Sequence, residues 1–133
     1  MSIDYLIDTN FLISVWREKS AGKAWAWLRN HPDQSLGIPW IVKGEFLCGS
    51  IYTGQDASVV NDFLDRYPTL WPDERIVQRF ASLYAILKKK NALPGPHDLW
   101  IASTAIEIET PLLTRNVAQF RRIPGCVIEA YEG

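Results

Sequence analysis

The sequence predicts an α/β fold in three layers, a small and mainly parallel sheet covered by helices on both sides. Two observations carry this expectation. Short apolar runs of strand length alternate with segments whose apolar residues recur at helical spacing, and no repeat or low-complexity segment interrupts the alternation. A length of 133 residues favours a single domain with its own core, spanning 1–133.

The elements follow in order. Residues 4–8 are short and apolar, which suits a buried strand with Asp8 at its carboxyl end. Phe11, Leu12, Val15 and Trp16 then predict a helix that Asp8 or Asn10 can cap. A second helix is expected over 20–30, with Ala24, Trp27 and Leu28 in one stripe, and SLGIP reads as a strand. Pro39 opens a helix to about residue 53, for which Phe46, Leu47 and Ile51 supply the apolar contacts. Another helix is expected from Asp56 to Tyr67, then a short strand at TLW. A longer helix from Asp73 to about Asn91 carries Ile76, Phe80, Leu83 and Leu87, with a basic end that suits the helix dipole. Pro94-Gly95-Pro96 breaks the chain and starts a helix through Glu109. PLLT, the segment Asn116 to Arg121 and CVIEA complete the pattern as strand, short helix and strand.

With 47% apolar and 22% charged residues the composition is that of a folded globular chain, so disorder is disfavoured. No apolar stretch approaches the roughly 20 residues of a spanning helix. The sequence shows no signal-peptide pattern, so a cytoplasmic location is expected, without membrane association. Cys48 and Cys126 match no zinc spacing and read as reduced core residues. A net charge of −1 gives no global attraction to nucleic acid, so any such binding is local, at basic groups such as Arg17, Lys19 and Lys23 or Arg115, Arg121 and Arg122.

Three acids stand out. Asp8 ends a strand, where ligands bind in open parallel sheets, although a helix cap would also explain it. Glu45 lies in a predicted helix near Ile41, Cys48 and Gly49, either on the surface or turned into a polar pocket that its small neighbours leave open. Asp98 sits in the first turn after the proline break, favoured there by the dipole and also placed at the mouth of the core. Clustered carboxylates repel unless protonated or bridged by a cation. Without a histidine or cysteine set, oxygen donors point to a hard divalent ion, Mg²⁺ or Mn²⁺, and so to phosphodiester hydrolysis.

Four blocks, LIDTNFLI, GEFLCG, PGPHDLWIAS and LLTRNVAQFRRIPG, resemble in order and spacing the PIN-domain proteins, more narrowly the VapC-type toxins of toxin–antitoxin pairs. The resemblance covers nearly the whole chain. It implies a PIN-like fold and a metal-dependent endoribonuclease in which Asp8, Glu45 and Asp98 hold the ion. Thr9 and Asn10 complete the first motif, with Thr9 a hydrogen-bond partner of the site. The family's fourth acidic position falls at Asn116, which brings no charge and favours one ion over two. An RNA substrate, a cognate antitoxin and a homodimer are implied in the same way.

Around the motifs, Lys43 and Arg115 are candidates for phosphate contact, and Trp40 and Trp100 for base stacking, with core packing the simpler role for both. His97 beside Asp98 reads as a proton shuttle or, more simply, a solvent-facing capping residue. The competing function is a PIN-like module that binds RNA or protein with weak or no catalysis, since the fourth acid is missing. A phosphatase or phosphoacceptor built on Asp8 lacks the second acid such sites place in the same loop.

Overall fold

The computed structural model of the chain describes residues 2–132. Five strands form one parallel sheet: β1 (Tyr5–Ile7), β2 (Leu36–Pro39), β3 (Thr69–Leu70), β4 (Leu112–Thr114) and β5 (Ile128–Ala130), in the order β3-β2-β1-β4-β5. Leu6 pairs with Gly37 on one side and with Leu112 on the other, so β1 is the central strand. Strands paired on both edges and covered on both faces must be apolar throughout. Leu6, Ile7, Ile38, Leu112 and Leu113 are accordingly sealed from solvent.

The sheet is flanked by α1 (Thr9–Glu18), α2 (Lys23–Asn30), α3 (Trp40–Tyr52), α4 (Ala57–Leu64), α5 (Glu74–Lys89), α6 (Pro96–Glu107) and α7 (Val117–Arg121). Carboxylates cap three of them. Asp8 accepts from the Phe11 N–H, Asp56 from those of Ser58 and Val59, and Asp73 from that of Ile76, satisfying donors that a helix start leaves orphaned. Pro96 occupies the first turn of α6, where its missing N–H is harmless.

Several expectations are corrected. The helix expected over 20–30 begins only at Lys23, after a tight 3₁₀ turn at Lys19–Ala21. Gly22 separates the two because it packs against α1: a Cβ there would lie 2.8 Å from the Glu18 Cβ and 3.0 Å from the Ser14 hydroxyl. The helix expected to reach Tyr67 ends at Leu64, and the helix expected to reach Glu109 ends at Glu107. On α3 the buried residues are Val42, Phe46 and Ser50, four apart, so Ile51 and Cys48 fall outside that row and are exposed. Cys48 is therefore no core residue, whereas burial pushes the half-covered Cys126 thiol up to about 11 and keeps it inert. Among the described residues no helix is long and apolar enough to cross a membrane.

The contrast between the sealed sheet and the exposed side of α3 is measurable. Leu113→Ala in β4 is expected to lower unfolding free energy by about 2–5 kcal/mol in urea titration. Ile51→Ala, at a position 55% exposed, should change it by less than about 0.5 kcal/mol.

Candidate functional site

Neighbours in the sheet diverge at β1: the chain passes from β1 to β2 and β3 on one side, then returns to place β4 and β5 on the other. Such a switch point opens a crevice at the carboxyl ends of the two central strands. Asp8 follows β1 there and Asn116 follows β4, with Arg115 between Asn116 and the strand. Glu45 is in the middle of α3 and Asp98 is in the first turn of α6.

Asp8 is only 3% exposed. Its Oδ1 accepts from the Phe11 N–H at 3.0 Å and its Oδ2 from the Thr114 hydroxyl at 2.6 Å. Burial raises its pKa above the ordinary aspartate value, and nearby Asp98 adds to the rise. The two hydrogen bonds and the Arg115 charge oppose this without cancelling it. The capping role is thus observed, through one carboxylate oxygen, while the second oxygen faces β4.

Asp98 is half-buried, and its pKa is also raised, first by desolvation and then by the charge of Glu45. His97 and a hydrogen bond from the Gln119 amide lower it in part. Glu45 is half-buried, neither a surface residue nor lacking partners. The Thr9 hydroxyl donates to its Oε1 at 3.0 Å, and the His97 Nδ1 lies 2.9 Å from its Oε2. His97 is therefore a partner of Glu45 rather than a cap. The cap position of α6 is Gly95, with no side-chain hydrogen bond.

The electrostatic coupling of Asp98 to both other acids places the three in one neighbourhood. They are not drawn together into a ready-made ligand cluster: among the described residues no three acid, histidine or cysteine side chains gather closely enough to hold an ion. The donor chemistry nevertheless fits a hard cation, because all three are carboxylates and two of them carry a charge that the protein leaves partly uncompensated. Asn116 sits at the N-cap of α7, where its backbone N–H donates to the Thr114 hydroxyl at 3.0 Å.

The other candidates separate. Arg115 is near enough to Asp8 to act on its charge, while the Lys43 ammonium reaches Thr69 at the β3 edge, 3.4 Å away. Trp100 stacks on Phe80 at 3.9 Å and takes the edge of Trp40 at 5.6 Å, so both indoles are packing elements. Sequence reasoning missed Thr114 and Gln119. Thr114 ends the strand of the fourth motif, and Gln119 lies three residues beyond Asn116 on the same helical face, which is the signal that was there to be used.

The buried charge of Asp8 sets a pH dependence. A carboxyl whose pKa is raised by folding destabilises the fold above the raised value, and the penalty fades as pH falls towards the ordinary value of about 3.9. In metal-free buffer Asp8→Asn should therefore raise the melting temperature by a few degrees at pH 7. The gain should shrink steadily on acidification to pH 4, followed by circular dichroism.

Comparison with known proteins places the chain in a family. The PIN domain model matches residues 5–125. The ribonuclease VapC of Rickettsia bellii is 34% identical over 128 residues, 90% of each chain. Ribonuclease VapC1 of Methanocaldococcus jannaschii is 30% identical over 127 residues, covering 96% of this chain and 86% of that one. The crystal structure of VapBC-1 from nontypeable Haemophilus influenzae superimposes with a TM-score of 0.82 at 25% identity, over 98% of this chain and 100% of its counterpart. With its sequence matched over most of its length, the chain belongs to the PIN-domain family and, within it, to the VapC proteins.

Proposed function

We propose that the protein is a metal-dependent endoribonuclease, the toxin of a toxin–antitoxin pair, which hydrolyses RNA phosphodiester bonds using Asp8, Glu45, Asp98 and Asn116. The observation that carries this reading is the buried Asp8 at the β1–β4 switch point, held by two donors, with a second partly desolvated acid, Asp98, within electrostatic reach. Relatives named ribonuclease VapC support the substrate class, and solved VapBC complexes support an antitoxin partner. A homodimer is proposed on the family resemblance.

Asp8, Glu45 and Asp98 are the residues that would hold Mg²⁺ or Mn²⁺. Such an ion supplies Lewis-acid polarisation of the phosphoryl group and acidifies water. The chain's own contribution is orientation and proton control. Thr114 fixes the rotamer of Asp8, Thr9 that of Glu45 and Gln119 that of Asp98, so each carboxylate meets the reaction already positioned. Asp98 or Asp8, each held in place by its donor, can accept the proton of the attacking water. Arg115, beside Asp8 and exposed, can hold a phosphate oxygen as charge develops on it. Asn116 can accept or donate a hydrogen bond at the same end of β4 without adding to the negative charge.

The second reading, RNA binding without cleavage, rests on the amide at Asn116. Purified protein incubated with single-stranded and structured RNAs and Mn²⁺ separates the two. Cleavage is expected, reduced at least about a hundred-fold in Asp98→Asn. Bound but intact RNA at high protein, with Mg²⁺ and with Mn²⁺, would establish the binding module instead.

Glu45→Gln tests the ligand set independently of activity. Calorimetric titration with Mn²⁺ should show affinity weakened about 10-fold or more, with the circular dichroism spectrum unchanged. Equal affinity in both proteins removes Glu45 from the set.

A further inference from the structure

Beside Glu45 a cleft of about 90 Å³ opens between α1 and α3. Ile13, Trp16 and Phe46 form its apolar wall, Arg17 stands at its rim, and Gly49 lies on the α3 side. We propose that this cleft is the subsite for the RNA nucleotide next to the bond that is cut, with the base lodged in the cleft and its outer phosphate held by Arg17. The proposal rests on the nuclease reading of the site.

Four features lead to it. The cleft is continuous with the site, because Glu45 belongs to both. Its aromatic wall is fixed: Trp16 meets Phe46 edge-on at 6.0 Å and Phe63 at 5.0 Å, so a base entering the cleft finds a rigid surface to pack on. Its lining carries both signs of charge, Glu45 on α3 and Arg17 on α1. One nucleotide has a phosphate on each side of its base. The phosphate being cut belongs beside the acids and their ion, and the next belongs beside a cation. Arg17 is exposed and makes no ion pair with another described residue, so its guanidinium is free for that phosphate.

Gly49 is the fourth feature. It lies inside a helix, where glycine costs about 1 kcal/mol relative to alanine. A Cβ built there meets nothing within 4 Å, so packing within the chain does not demand glycine. What the missing side chain leaves is room beside Glu45, one turn along α3.

The test uses the full chain with Gly49→Leu, Gly49→Ala and Arg17→Ala. Binding of a fluorescein-labelled, single-stranded 2′-O-methyl RNA hexamer is followed by anisotropy in Mn²⁺ across a salt series, and cleavage of the matching unmodified RNA is assayed in parallel. Gly49→Leu fills the cleft and should weaken binding about 10-fold, the loss of one stacked base. Gly49→Ala should fall between it and the parent. Arg17→Ala should reduce the slope of log affinity against log salt by about 0.7, one phosphate contact on a single strand. If the parent cuts RNA while all three variants bind within about twofold of it and keep its salt slope, the subsite is overturned and the cleft is left to a protein segment, with the nuclease reading intact. If the parent neither binds nor cuts any RNA, the nuclease reading itself fails and the subsite with it. Since a side chain at 49 meets open space, the variants should fold; should Gly49→Leu not do so, Gly49→Ala and Arg17→Ala decide alone.

Discussion

A carboxylate at the end of the central strand loses most of its water, and the fold has to replace it. Asp8 receives one hydrogen bond from the first turn of α1 and one from the end of β4. The first requires a helix to start immediately after β1; the second requires β4 to lie in register beside it. Thr114 then accepts from the Asn116 N–H, which fixes the turn into α7, and α7 carries the Gln119 that holds Asp98 at the start of α6. One solvation requirement thus runs through four elements. Because a buried charge without partners costs several kcal/mol, these contacts are conditions of folding and of site geometry at once.

The remaining acid is positioned by packing. α3 starts directly where β2 ends, with no intervening loop, so the sheet sets the direction of the helix that carries Glu45. Trp40 at its first position meets Trp100 of α6, and Trp100 stacks on Phe80 of α5. The aromatic contacts therefore fix α3 against α6, and with them Glu45 against Asp98. Trp40 and Trp100 were candidates for base stacking with core packing the simpler role, and it is the packing role they take, acting on the site through rigidity.

What was legible in the sequence was local. Strand runs, helix stripes and capping aspartates each show within a few residues, and they place β1, α1, α5 and the start of α6 correctly. α3 misled because its buried row ends in a serine while a cysteine and an isoleucine face water, so polarity and burial do not coincide. Gly22 could not be read as a helix break, since the reason for it is the side chain of Glu18 on the preceding helix. The three acids were recognisable from position, and of their partners Thr9 was named through the family resemblance. The other two were not: Gln119 is 21 residues from Asp98 and Thr114 is 106 from Asp8, beyond any spacing rule.

That last separation has a consequence for the order in which the molecule is made. Synthesis runs from the amino end, and segments that emerge first wait for partners that have not yet been translated. Asp8 and the first turn of α1 leave the ribosome about a hundred residues ahead of the strand that completes their pairing. Until then the central strand lacks one neighbour, Asp8 lacks its hydroxyl donor, and the crevice between β1 and β4 does not exist. The late position of β4 thus makes the site one of the last parts of the molecule to be assembled.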